Sequence, residues 1–142
     1  MKTVPKLTLD DARLIMDAAE KKAREIGVGM DIAIVDDGGH LLMFHRMDDA
    51  RITSIDIAVS KAFTAAAARR STRSYAETGQ PGGPAYGIHV SNQGRFMIFA
   101  GGLPIFVDRQ IVGGIGSSSG HSDQDEAVAQ AGIDAFLRSL KT

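Results

Sequence analysis

Two neighbouring stretches decide the fold of this chain: Gly101-Gly-Leu-Pro-Ile105 and Gln110-Ile-Val-Gly-Gly-Ile-Gly-Ser-Ser-Ser-Gly-His121. Apolar residues around a tight turn predict two strands, and the glycine-serine loop that follows predicts the entry into a helix. Glycine lets a ligand approach the backbone closely, and the start of a helix attracts anions. We therefore predict a ligand-binding loop here, with Gly114, Gly116, Ser117 and Ser118 as its candidate residues.

In the rest of the chain, the periodicity of apolar residues and the turn signals between them predict the remaining elements. The predicted order is helix, two strands, helix, three strands, helix, with a long proline- and glycine-rich loop over residues 78–94. This order is typical of the α+β class, with a five-stranded, mostly antiparallel sheet packed against helices. The predicted helices cover about residues 9–26, 53–70 and 123–140, and the predicted strands cover 30–35, 40–45, 96–100, 103–107 and 110–115.

Length and composition limit what the protein can do. The 142 residues are expected to form one domain, spanning 1–142, and 16 basic against 17 acidic residues give a net charge of −1. There is therefore no overall positive field to attract nucleic acid or an anionic membrane. The absence of cysteine excludes disulfides and thiolate chemistry. The polar N-terminal residues lack the pattern of an export signal, so a cytoplasmic location is expected, and no apolar run is long enough to span a membrane.

Several segments together resemble a known family. The matching segments are Ile34-Val-Asp-Asp-Gly-Gly39, Arg46-Met-Asp-Asp-Ala50, Ser54-Ile-Asp-Ile-Ala58, Lys61-Ala-Phe-Thr-Ala65, Gly101-Gly-Leu-Pro-Ile105, Val112-Gly-Gly-Ile-Gly116 and Gln124-Asp-Glu126. In this order they are similar to the HbpS-like and GlcG-like proteins, which are related to the C-terminal domain of some corrinoid adenosyltransferases. The resemblance implies a profilin-like or PAS-like α/β sandwich and assembly into a homo-oligomer. It also implies that the protein binds a small ligand, with haem as a possible cofactor. Many members of the family are products of catabolic operons.

Individual side chains supply the candidate chemistry. Lys61 lies beside the small apolar face of the second helix, where it could extend to solvent, pair with an acid or, with its pKa lowered by burial, serve as a base or an anchor for carboxylates. Each of two loop histidines, His89 and His121, is a candidate acid, base or haem ligand. The four histidines show no metal-site spacing, so no metal site is predicted. The arginines expected to hold a ligand's carboxylates are Arg46, Arg51 and Arg95.

Two functions remain open from the sequence. In the first, the domain binds a small ligand such as haem, or a related cofactor that carries carboxylates. In the second, it is a cofactor-free enzyme that isomerises or tautomerises a small carboxylate metabolite, with Lys61 or a loop histidine moving the proton. The sequence does not decide whether the protein is an enzyme.

Overall fold

The fold consists of four α-helices and one four-stranded sheet within residues 1–141, which the computed structural model describes. The α+β class is therefore confirmed, and the prediction of five strands is wrong. In chain order the elements are α1 (Leu9–Ile26), β1 (Asp31–Asp36), β2 (Leu41–Arg46), α2 (Thr53–Ala68), the short α3 (Tyr75–Thr78), β3 (Gly102–Val107), β4 (Gln110–Ser118) and α4 (Ser122–Ser139).

The sheet has the strand order β2-β1-β4-β3, and all neighbouring pairs are antiparallel. Its longest strand, β4, lies between β1 and β3, where Gly116 is opposite Ala33 on one side and Gly102 on the other. The pairing with β1 continues to Ser118, which is opposite Asp31. Most of the predicted glycine-serine loop is consequently strand, and the loop itself is limited to residues 119–121.

Side chains alternate between the two faces of the sheet, and each face is covered by different helices. Ile32 and Ile34 of β1 belong to the larger apolar core, which α1 and α4 cover. Ala33 and Val35 pack against the alanines of α2 on the opposite face. The result is three layers, with α1 and α4 on one side of the sheet and α2 on the other.

The first helix begins as its sequence predicts. Thr8 accepts a hydrogen bond from the backbone N–H of Asp11 at 3.2 Å, and the Asp11 carboxylate accepts one from the backbone N–H of Thr8 at 2.8 Å. This reciprocal capping box satisfies two amides that a helix end leaves free. Thr53-Ser-Ile-Asp56 has a hydroxyl and an acid at the same spacing. It forms no such cap, because Thr53 is already inside α2 and Ile52 precedes it without a side-chain cap.

The predicted strand over residues 96–100 is absent from the structure, which has turn and irregular backbone there. Instead of pairing with a strand, the backbone N–H of Met97 donates to Thr64 Oγ1 of α2 at 2.9 Å. Phe96 is buried against the ring of Tyr75, with centroids 4.8 Å apart. The apolar run therefore packs on α2 and the α3 region rather than extending the sheet.

Candidate functional site

Two adjoining clefts of about 570 Å³ each share the turn that follows α1, residues 27–29, as a common wall. The first, which we name the α1–β2 cleft, is bordered by the end of α1 and by β2, and Arg46 is one of its lining residues. The second, the α4 cleft, lies at the start of α4 and is lined by Arg51 and His121. Three residues predicted from the sequence thus line two clefts that share a wall.

The α4 cleft is shaped by the short loop before α4. The backbone N–H of Arg51 donates to Ser119 Oγ at 3.0 Å, which connects the segment before α2 to this loop. The backbone N–H of His121 donates to Gln124 Oε1 at 2.9 Å, and that of Gly120 donates to Asp125 Oδ1 at 2.9 Å. These contacts leave the guanidinium of Arg51 and the imidazole of His121 exposed beside the N-terminus of α4. A guanidinium and an imidazole at a helix N-terminus favour an anionic group, and Asp49 is the carboxylate among the residues that line this cleft.

Lys61 lies behind this loop and has no exposed surface. Its Nζ donates to Asp125 Oδ2 at 3.0 Å and to the backbone carbonyl of Ser117 at 2.9 Å. The backbone at Gly101 has a φ of +125°, and a Cβ there would lie only 2.6 Å from Nζ. Asp125 also accepts the N–H of Gly120, so the buried pair connects α2 and β4 to the loop that forms the α4 cleft.

Burial dominates the electrostatics of this pair. It lowers the pKa of the Lys61 ammonium and raises the pKa of the Asp125 carboxyl, although each charge opposes the shift of the other. With no exposure, Lys61 cannot contact a ligand in this conformation. Of the roles that the sequence left open for Lys61, the structure shows the pairing with an acid, Asp125; the role of a base or a carboxylate anchor stays a prediction.

The glycines and serines of the predicted loop lie inside the protein. Gly114 and Gly116 of β4 are under α2, where a Cβ would meet the carbonyl oxygens of Ala62 at 2.7 Å and Ala58 at 2.1 Å respectively. Ser117 and Ser118 are also buried in the strand. Close packing of the helix on the sheet accounts for the two glycines.

The third feature is an apolar hollow of about 300 Å³ on the irregular segment before β3. His89 lies at this hollow, so His89 and His121 line different cavities. Arg95 is adjacent, with its guanidinium 3.9 Å from the ring centroid of Phe63. The residues lining the hollow are His89, Gly94, Phe96, Met97, Ile98 and Phe99.

Neither a metal-binding group nor a membrane-spanning helix is found within residues 1–141. No group of three or more His, Asp or Glu side chains is arranged to hold a metal ion. Among the described helices, none combines the length and the apolar character that a membrane span requires.

The family model of the "Haem degrading protein HbpS-like" proteins matches residues 7–134, which is most of the chain. The chain belongs to the HbpS-like family. Its similarity to protein GlcG of Escherichia coli K12 is 37% identity over 118 residues, covering 83% of this chain and 85% of GlcG. The family expected from the sequence is therefore confirmed.

Solved structures of relatives share the fold of this HbpS-like chain. The crystal structure of Klebsiella pneumoniae protein ORFY has a TM-score of 0.94 and 39% identity, covering 96% of this chain and 94% of ORFY. The crystal structure of a PduOC–haem complex has a TM-score of 0.88 and 34% identity, with 92% and 94% covered.

One residue of the HbpS-like chain that sequence reasoning missed is Asp31, at the start of β1. It is fully buried, and neither of its carboxylate oxygens has a hydrogen-bond partner among the described residues. Its neighbours across the sheet are Arg46 on β2 and Ser118 on β4. Burial raises the pKa of Asp31, and the charge of Arg46 opposes this shift. Only an isolated acidic residue in an apolar strand marks the position in the sequence.

Replacing Asp31 by asparagine is expected to stabilise this HbpS-like protein by about 1 kcal/mol at pH 7, because a buried carboxylate charge that accepts no hydrogen bond is removed from the interior. A raised folded-state pKa means that the protonated carboxyl is favoured by folding. That contribution is complete below the unfolded value of 3.8 and is lost as pH rises through the folded pKa. The gain from Asp31→Asn should therefore shrink as urea unfolding is repeated from pH 7 towards pH 4. A variant less stable than wild type at pH 7 would contradict this account.

Proposed function

We propose that this protein binds haem in the apolar hollow beside His89. The supporting observation is the composition of the hollow, where an imidazole meets a surface of phenylalanine, methionine and isoleucine side chains. Haem requires these two features, an axial ligand for iron and an apolar surface for the macrocycle. The similarity to the PduOC–haem complex supports the choice of ligand.

Each residue around the hollow would make a different contact with haem. His89 would supply an axial nitrogen to the iron, and Phe96 and Phe99 would contact the macrocycle. Arg95 would pair with a propionate, since its Nε bond to the Asn92 carbonyl leaves further guanidinium donors free. The bound group would supply the redox or ligand-sensing chemistry of its iron, and the protein would supply its position.

A titration with hemin, followed at the Soret band, tests this proposal. We expect saturable binding at fixed stoichiometry for the wild type and for His121→Ala, which serves as the matched control because His121 lines the α4 cleft. His89→Ala should bind at least about tenfold more weakly, because the iron loses its protein nitrogen.

Two results would contradict this assignment. Binding that never saturates in the wild type would argue against a haem site. Equal affinity of His89→Ala and wild type would move the site away from the hollow.

Assembly into a homo-oligomer is part of the same proposal. The side chains of Tyr86, Val90 and Phe99 are 60%, 70% and 43% exposed near the hollow, so this apolar surface favours contact with a second copy. A second copy would cover the part of the ligand that a hollow of about 300 Å³ leaves open. The cytoplasmic location stays a prediction.

The alternative function, proton transfer on a small carboxylate without a cofactor, also stays a prediction. Burial of the Lys61 amine makes Lys61 the less favoured base for this reaction. Arg51 and His121 in the α4 cleft keep a cation and an imidazole accessible for it.

A further inference from the structure

The α1–β2 cleft contains an imidazole held by a carboxylate. His45 Nδ1 of β2 contacts Glu20 Oε1 of α1, although the two residues are 25 positions apart. The Glu20 side chain is only 15% exposed, and the His45 side chain is 46% exposed. Because an ionised carboxylate only accepts hydrogen bonds, Nδ1 must carry the proton of this contact. The other ring nitrogen, Nε2, is thereby left for a different partner.

The other oxygen of Glu20 accepts a hydrogen bond from Arg24 at 3.2 Å. Glu20 therefore fixes both an imidazole and a guanidinium at the wall of the same cleft. Arg24 also offsets the negative end of α1, since it lies in the last turn of that helix. An imidazole that is oriented by a carboxylate and half open to a cleft is the arrangement that proteins use to bind or protonate ligands.

Arg46 provides a positive charge that is not used in an ion pair. It lies in the same cleft, and no described carboxylate oxygen is within 4 Å of its guanidinium. Its electrostatic partner is the buried Asp31, its cross-strand neighbour. His45 and Arg46 are the last two residues of β2, an edge strand, and both line the cleft. Asp48 also lines the cleft, so a ligand with two carboxylates would be repelled.

We propose that the α1–β2 cleft is a second ligand site, which binds a small hydroxy acid with one carboxylate. Arg46 would pair with the carboxylate, and Nε2 of His45 would pair with the hydroxyl. A hydroxyl both donates and accepts, so it can pair with Nε2 whether the ring is neutral or charged. Glu20 is a positioning residue, since it acts through the imidazole. The site is separate from the hollow at His89 and does not depend on haem binding.

Lactate and propionate are the probes, because they differ chiefly in one hydroxyl. We expect lactate to shift the ring nitrogen resonances of His45 in ¹⁵N-histidine-labelled protein, with saturation, and propionate to bind at least about fivefold more weakly. Arg46→Met should weaken lactate binding at least about tenfold through the loss of the ion pair. Glu20→Gln should change the tautomer signature of His45 as well as the affinity, and a merely structural role would not move the tautomer.

The matched control is His40→Phe, because His40 contacts Asp36 at the hairpin turn and lies outside the cleft. This variant should bind lactate as the wild type does, whereas His45→Phe, followed by the signals of lactate itself, should bind lactate about as weakly as the wild type binds propionate. The proposal is overturned if lactate leaves the wild-type His45 resonances unchanged, or if Arg46→Met binds lactate with wild-type affinity. Since His89 is intact in all these variants, hemin binding reports separately on the haem proposal.

Discussion

Lys61→Met is expected to lower the free energy of unfolding by about 3 kcal/mol or more, because it leaves the Asp125 carboxylate buried without its partner. The change also removes the hydrogen bond to the Ser117 carbonyl, a 2.9 Å contact that connects α2 to β4. Methionine matches the length of the lysine stem, so loss of packing contributes little. Urea unfolding at pH 7 measures the effect.

The control for this prediction is Lys21→Met, which changes an exposed lysine on α1. Substitutions at such positions usually alter stability by less than about 0.5 kcal/mol. If Lys61→Met is as stable as Lys21→Met, the buried pair does not hold α2, β4 and the loop before α4 together.

The double variant Lys61→Met/Asp125→Leu separates the pair from the packing. Burial shifts the pKa of both residues towards their neutral forms, so placing two charges here is already costly. Replacing a buried ion pair by apolar side chains is often neutral or stabilising. The double variant should therefore recover part of the stability that Lys61→Met loses, and the remainder reflects the Gly120 N–H, which loses its acceptor on Asp125. A double variant no more stable than Lys61→Met would show that Asp125 is not the residue penalised by that change.

Local signals made much of the fold predictable. The cap of α1 depends on Thr8 and Asp11, which are three residues apart, and the pattern is sufficient to locate the helix start. The hairpin after β1 depends on Asp36, whose Oδ1 accepts the backbone N–H groups of Gly38 and His40 at 2.9 Å. Such contacts join residues that the sequence places side by side.

The wrong strand prediction has a tertiary cause. Residues 96–100 carry the apolar content of a strand, but Thr64 of α2 takes the N–H that a neighbouring strand would have paired. The end of β4 differs from its prediction in the opposite direction. Pairing of Ser118 with Asp31 extends the strand into a segment that the sequence predicts as a loop. Residues 31 and 64 lie far from these segments in sequence, so no local pattern reports their effect.

The sequence indicated which residues were candidates for a site, but it did not indicate which of them lie together in the fold. Lys61 and Asp125 are 64 positions apart, and only the fold brings them to 3.0 Å. The contact of Glu20 with His45 crosses from α1 to β2 in the same way. His89 and His121 are in separate cavities. Pairing of distant side chains is decided by helix and strand packing, which composition and spacing do not encode.

Gly116→Ala is expected to destabilise the protein by about 3 kcal/mol, at the upper end of the range for overpacked cores. The added Cβ would lie 2.1 Å from the Ala58 carbonyl oxygen and 2.6 Å from the Ala62 nitrogen. Both atoms belong to the backbone of α2, so no side chain can rotate to relieve the overlap. The helix must move away from the sheet, which opens the alanine contacts with Ala33 and Val35.

The comparison with Gly82→Ala tests whether the overlap, rather than the loss of glycine itself, causes the effect. Gly82 has a φ of +87° with nothing within 4 Å of an added Cβ, so its substitution should cost only the left-handed backbone, about 1–2 kcal/mol. Gly116 lies in a regular strand and carries no such backbone cost. Thermal unfolding of both variants decides the question. If Gly116→Ala is the more stable of the two, α2 does not pack on β4 as closely as these distances require.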